Sequence, residues 1–269
     1  MVQGLTCEIV ERLKSPLART VELREELGST QGRARALAHG GASHGTLVIS
    51  RVQTGGRGRL GRSWGSPLGG LWMSLVLRPG FDAGLAPRIT PSAAVAVAKA
   101  LRELGIEARI KWPNDLLVAG RKICGILAEA SAAPIASKSI RPDDRVRRLD
   151  FVVLGIGMNA NLDPQDLGVP DREVTTLRSE LGHDVDLGEL LKTLLTNLET
   201  ELNKIEDFES VLGDWRALDC TLGQRVRVQR FGETLEGTAK NLSPEGALIL
   251  ETKDRTIELF EGEIEHLRM

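Results

Sequence analysis

The sequence predicts an α+β fold, a mixed β-sheet flanked by helices with a small β-rich module at its C-terminal end, and three observations predict it. The apolar runs TLVIS at 46–50, LWMSLVL at 71–77 and FVVLGIG at 151–157 are short and rich in β-branched residues, as strands of a buried sheet are. Helical patterns lie between and after them, but strands outnumber the helices they alternate with. From about residue 220 the texture changes to short alternating segments broken by glycine or charged turns. At 269 residues the chain exceeds the ~100–200 residues of one domain. The expected division is a large domain over 1–218 and a small one over 219–269.

Taken in order, residues 7 to 27 carry apolar positions at mixed helical spacing, broken by Pro16 and ending at Gly28. A helix from about 30 to 38 follows, capped by Ser29 or Thr30. The strand at 46–53 leads through a Gly/Arg-rich loop into LWMSLVL. PSAAVAVAKALREL at 91–104 reads as a helix with proline in its first turn and Gly105 at its end. IEARIKW at 106–112 alternates like a strand, and Pro113, Asn114 and Asp115 make a turn. LLVAG and RKICGILAEA form a hairpin about Gly120. Residues 131–149, mixed in charge and without periodicity, are expected to be an exposed loop before FVVLGIG. An amphipathic helix spans about 186–205, and a second runs through FESVLGDWRAL. Five short strands then fill the last fifty or so residues, the pattern of a small SH3-like barrel.

Composition excludes several classes. The chain carries 35 basic and 37 acidic residues, so it lacks the field of a general nucleic-acid binder, and any anion site must be local. Five Phe, four Trp and no Tyr leave few platforms for stacking bases. Cys7, Cys124 and Cys220 are widely spaced and show no CxxC pair, which argues against disulfides or a zinc site and fits a reducing cytoplasm. No run approaches the ~18 apolar residues of a membrane span, and the N-terminal stretch is charged where a signal peptide would be apolar. The expectation is a soluble cytoplasmic protein.

Residues 54–66, TGGRGRLGRSWGS, hold five glycines and three arginines. Glycines permit positive φ and close approach of backbone to a ligand. Arg57, Arg59 and Arg62 offer forked, permanently charged donors for carboxylate or phosphate oxygens. Composition leaves the reading open between a mobile anion clamp and either an exposed connecting loop or an RG-type nucleic-acid contact. KWPND at 111–115 sets a cation, an amide and a carboxylate around a proline turn, which is also ordinary turn chemistry. Lys122 opens the apolar strand RKICGIL, where it either reaches solvent or lies over a site, with Gly125 leaving room beside it. GIGMNAN at 155–161 places small residues and two amides just past a buried strand, a ligand crevice or a plain turn entry.

The order and spacing of GRGRLGRSW, KWPND, RKICGIL and LGIGMNAN resemble the biotin protein ligases, also called biotin–acetyl-CoA-carboxylase ligases. The resemblance runs from Ser29 and Thr30, which match the family's Ser-Thr-Asn opening with Gln31 in place of Asn, to the C-terminal β module. It implies the catalytic fold shared with lipoate ligases and class II aminoacyl-tRNA synthetases, followed by an SH3-like domain. It also implies an activity: joining biotin to ATP as biotinyl-5′-adenylate, with Mg²⁺, then transferring biotin to a lysine of a carboxyl carrier protein.

By motif position the resemblance assigns Lys122, Arg57 and Arg59 to catalysis, with Lys122 beside the biotin carboxylate and α-phosphate. Ser29, Thr30, Gln53, Gly56, Arg57, Arg59, Lys122, Gly125 and Gly155 would make the biotin site. Arg59, Arg62, Trp64, Asn114, Lys122 and Asn159 would meet ATP. Asp115 would help hold Mg²⁺, orient the incoming lysine or simply cap its turn, and Lys111 has no sharper assignment. Only 28 residues precede Ser29, so a ligase without the winged helix-turn-helix of the repressor-type members is expected. Neither DNA nor a membrane is expected as a partner, and a homodimer through sheet edges is compatible with the family.

Overall fold

A computed structural model of the chain describes residues 5–6, 13–132, 149–169 and 173–267. Its first strand, β1 (Thr20–Leu27), lies beside β2 (Thr46–Gln53), with helix α1 (Thr30–His39) between them in sequence. The Gly/Arg loop leads to β3 (Leu71–Leu77), then α2 (Ile89–Glu103), β4 (Arg109–Lys111), β5 (Asp115–Val118), β6 (Arg121–Ala132) and β7 (Leu149–Met158). Three helices follow, α3 (Leu177–Leu181), α4 (Leu187–Leu202) and α5 (Glu209–Leu218). The chain ends in β8 (Arg225–Arg230), β9 (Glu233–Leu242), β10 (Leu248–Glu251), β11 (Thr256–Leu259) and β12 (Glu263–His266).

Seven strands form one mixed sheet in the order β1-β2-β3-β7-β6-β5-β4. Only β1 and β2 run parallel, because α1 supplies the crossover that a parallel pair requires. The other joins are antiparallel. All seven residues of β3 are buried, as an unbroken apolar run at the centre of a covered sheet should be. One face of the sheet packs on α2, which lies against α4 and α5. The other face packs on α1 through Ala34, Ala38, Val48, Val76, Phe151 and Val153. Burying a Leu, Val or Phe side chain contributes about 1.5–3 kcal/mol, so these two apolar layers fix the sheet on which everything else is mounted.

The helical reading of 7–27 is corrected over its second half: residues 20–27 are the edge strand β1, and 7–12 lie outside the described residues. An edge strand is buried on neither face continuously, and Glu22, Arg24, Glu25 and Glu26 blur its period of two. The expected strand over 106–112 shrinks to the three residues of β4. The expected loop over 131–149 falls almost wholly outside the described residues, with β6 reaching Ala132 and β7 starting at Leu149. The five C-terminal strands pair as one antiparallel row, β11-β10-β9-β8-β12. No pairing closes β11 onto β12 among the described residues, so the row is an open sheet rather than a closed barrel. Among the described residues no helix is long and apolar enough to cross a membrane.

Candidate active site

The α1 face of the sheet carries a cavity of about 700 Å³. Its floor follows from strand register. Trp72 of β3, Gly157 of β7, Gly125 of β6 and Asp115 of β5 are successive partners across four strands, and Ser74, Gly155 and Leu127 form the next row. Side chains on one face recur every second residue, so the glycines at 125, 155 and 157 leave a trough in that face.

One irregularity brings Lys122 into the trough. A lysine three residues from Gly125 would point to the opposite face of a regular strand. Between the pairs Leu116–Cys124 and Leu117–Lys122, β6 has one residue more than β5. The bulge sends both Ile123 and Cys124 into the core and returns Lys122 to the cavity side. There Lys122 Nζ lies 2.7 Å from Asp115 Oδ1 and 4.8 Å from the centre of the Trp64 ring. Burial pushes the Cys124 thiol well above its ordinary pKa, which leaves it an inert apolar filler beneath the lysine.

The Gly/Arg loop folds back over the trough as a roof. Its two arms are held by Trp64 N–H to Gly56 O at 2.9 Å and Gly58 N–H to Arg62 O at 2.8 Å. Leu60 at φ 54° and Gly61 at φ 76° make the turn between them. Gly56 is buried and does not line the cavity: a Cβ there would sit 2.4 Å from the Trp64 carbonyl, so its lack of a side chain lets the arms close. Gly125 and Gly155 do line the cavity. A Cβ on Gly125 would come within 2.9 Å of the Trp64 indole, and one on Gly155 within 2.5 Å of Gln31 Oε1. Trp64 and Gln31 pack against these bare positions and border the trough.

The remaining candidates divide by charge. At one end lie uncharged polar groups: Ser29, which caps α1 by accepting from Gly32 N–H, with Thr30, Gln53, Gln31 and Ser74. At the other end Lys111, Lys122, Arg57, Arg59 and Arg62 gather around the mouth. Arg59 Nη1 donates to Asn114 Oδ1 at 3.1 Å and to Gly262 O at 3.3 Å. Its burial lowers its pKa, opposed by the charges of Asp115, Glu261 and Glu263, and it stays cationic. Arg62 pairs with Glu263, while Arg57 is exposed and has no side-chain partner among the described residues. Asn114 Nδ2 donates to Ile126 O, which holds the Trp112–Asn114 turn against β6. Asn159 spends both its donors on Thr175 O and Lys122 O, leaving Oδ1 buried without a partner among the described residues, as is the Trp64 Nε1 donor. Unpaired buried groups in a cavity are costly unless a ligand or water meets them.

Sequence reasoning missed Gly157, Ser74, Gln31 as a wall residue, and Gly262 with Glu263. The last pair lies about two hundred residues from the arginines it holds, and no local signal links them. Gln31 was visible only as a departure from the family motif. Among the described residues no three His, Cys, Asp or Glu side chains gather for a metal ion. Asp115 lines the cavity and already faces Lys122, so it would share its carboxylate with any cation that entered.

The cavity thus brings a row of uncharged polar groups and a cluster of cationic side chains together beneath a Gly/Arg-rich roof. Residues 28–138 match the biotin/lipoate A/B protein ligase family, and 221–267 match the biotin protein ligase C-terminal domain. The chain is 36% identical over 244 residues to the bifunctional ligase/repressor BirA of Bacillus subtilis, covering 89% of this chain and 71% of that protein. It is 31% identical over 271 residues to the biotin–[acetyl-CoA-carboxylase] ligase of Mycobacterium tuberculosis, covering 93% and 90%. The fold superposes on the biotin protein ligase of Aquifex aeolicus in complex with biotin and ATP at a TM-score of 0.73 and 29% identity, covering 93% of this chain and all of that one. The chain belongs to the biotin protein ligase family.

Proposed function

We propose that the protein activates biotin with ATP and transfers it to one lysine of a biotin carboxyl carrier protein. The observation that carries this reading is the polarity of the cavity on the α1 face, with uncharged hydrogen-bonding groups in one part and Lys122 with Arg57, Arg59 and Arg62 in another. The neutral end suits a ureido ring and the trough an aliphatic tail. The cationic end suits a carboxylate meeting a triphosphate.

In the first step a biotin carboxylate oxygen attacks the α-phosphorus. The P–O bond to the β-phosphate breaks and pyrophosphate leaves. Lys122, fixed by Asp115 and the Trp64 face, stabilises the negative charge gathering at that phosphorus. Arg57, whose side chain has no partner among the described residues, and Arg62, held by a single exchangeable carboxylate, would take the departing phosphates. Arg59, Asn114 and Trp64 would meet the nucleotide, and Asn159 Oδ1 offers an acceptor to an amino group. Mg²⁺ would neutralise phosphate charge when bound, and Asp115 is the carboxylate placed to share it; with no cluster of metal-ligating side chains among the described residues, most of its ligands would be phosphate and water. In the second step the acceptor lysine's amine attacks the acyl carbon, the C–O bond to AMP breaks and the amine loses a proton. The roof excludes water from the mixed anhydride meanwhile.

The boundary between the ligand-binding domain over 1–218 and the small domain over 219–269 is part of the proposal, as is action without operator binding, for which the net charge of −2 offers no electrostatic footprint. Incubation with ATP, Mg²⁺ and either biotin or lipoate, with pyrophosphate release and labelling of a purified carrier domain followed in parallel, tests the reading. Biotin-dependent pyrophosphate and a labelled carrier are expected; release with lipoate alone would overturn it in favour of lipoate ligation.

A further inference from the structure

The uncharged end of the cavity is a row of four oxygens that is one proton short. Gln31 Oε1, Ser74 Oγ, Thr30 Oγ1 and Gln53 Oε1 follow one another at 3.1, 2.9 and 3.1 Å. Only the two hydroxyls carry hydrogen, so two protons serve three contacts. The row is made deficient from outside. At one end Gln53 Nε2 donates to Ser66 Oγ at 2.8 Å, and the Thr30 backbone N–H donates to Gln53 Oε1 at 2.7 Å, so that amide keeps its oxygen inward. At the other end Gln31 Nε2 donates to Glu129 Oε2 at 2.8 Å and to Val153 O at 3.1 Å. Glu129 and Val153 are cross-strand partners on β6 and β7, so two acceptors sit side by side and no donor opposes them. Arg35, one helical turn beyond Gln31 on α1, pairs with the other Glu129 oxygen. Were the Gln31 amide reversed, its Nε2 would donate to Ser74 and every contact in the row would have its proton.

We propose that Glu129 is a positioning residue for ligand selectivity: by holding the Gln31 amide oxygen-inward it leaves the wall one donor short, and the wall therefore selects a ligand head that brings N–H groups. On the reading of the protein as a biotin ligase, that head is the ureido ring, whose N–H supplies the missing proton. Glu129 is half-exposed and touches the outer face of Gln31, so it acts through the amide and not on the substrate. Gly155 belongs to the same device, because any side chain there would collide with Gln31 Oε1.

The test is calorimetric and kinetic on the full chain, using biotin and an analogue methylated at a ureido nitrogen. Glu129→Gln keeps the shape but offers a donor, which permits the Gln31 amide to reverse and complete the row. Biotin affinity should fall about tenfold, the magnitude of one well-made hydrogen bond, and the preference for biotin over the methylated analogue should shrink by a similar factor. The KM for biotin should rise while kcat and the KM for ATP stay near wild type. Glu129→Ala, which removes the acceptor, should move the selectivity ratio in the same direction. Arg35→Gln, which loses the ion pair but keeps the carboxylate, should leave the ratio within about twofold of wild type. Folded Glu129 variants with the wild-type affinity and ratio would overturn the proposal, as would an equal loss with both ligands. Failure of the wild-type protein to bind biotin at all would instead overturn the biotin reading itself.

Discussion

Lys122 faces Asp115 at 2.7 Å because β6 carries one residue more than β5 between the pairs that flank the bulge. Without the extra residue the lysine would point into the core, and Asp115 would lose the cation paired with it. Lys122→Ala should cut biotin-dependent pyrophosphate release by about a hundredfold or more, the usual cost of losing a preorganised charge, with the circular dichroism spectrum unchanged. Asp115→Asn should cost less and should raise the Mg²⁺ concentration needed for half-maximal activity; an unchanged Mg²⁺ requirement would confine Asp115 to orienting the lysine.

Arg59 ties the roof to Asn114 and to Gly262 of the C-terminal sheet. Hydrogen bonds from a charged donor are worth about 1.5–3 kcal/mol, so Arg59→Ala should speed escape of the adenylate roughly ten- to hundredfold. Quantifying free adenylate in a filtrate after one turnover measures this. The same leakage as wild type would remove Arg59 from the closure.

The floor glycines make a paired prediction. A Cβ on Gly157 would lie 2.6 Å from Trp64 Nε1, so Gly157→Ala should displace the indole, alter near-ultraviolet circular dichroism and raise the KM for ATP. Gly213, inside α5, has nothing within 4 Å of its would-be Cβ. Gly213→Ala should leave activity alone and stabilise the chain by roughly 0.5–1 kcal/mol in denaturant titration.

Asp219 sets a pH dependence. Burial raises its pKa to about 6, against stabilising bonds from Leu222 N–H, Thr221 N–H and Trp215 Nε1. Its folded-state pKa lies above the unfolded value of 3.8, so the native state binds more protons between them. Stability from this group therefore falls as pH rises from about 4 to 6 and is level above, a loss on the order of 2–3 kcal/mol. Asp219→Asn should flatten that segment of a stability-against-pH curve; an unaltered slope would show that Asp219 titrates normally.

Much of this was legible before any coordinates. β2, β3 and β7 stand where apolar runs of strand length stood, and α1 begins at the Ser29 cap. The cationic half of the cavity was legible too, because arginines clustered with glycines have few uses in a core. What stayed hidden depends on distance or on register. β1 carries the charges of an exposed edge, and its partner is only found once β2 lies beside it. The bulge at Ile123 has no residue signature, and Gln31 gains meaning only from Glu129, nearly a hundred positions away.

A trough made by leaving out side chains has reached the chemical minimum. Nothing smaller than glycine exists, so no substitution at 125, 155 or 157 can widen the site for a bulkier tail. Whoever wishes to redirect this protein to an enlarged vitamin analogue must work from above, by trimming Trp64 or reshaping residues 54–66, or from the side, at Gln31. Its capacity to acquire new substrates is thus lopsided, with one wall already spent and the lid holding nearly all the freedom that remains.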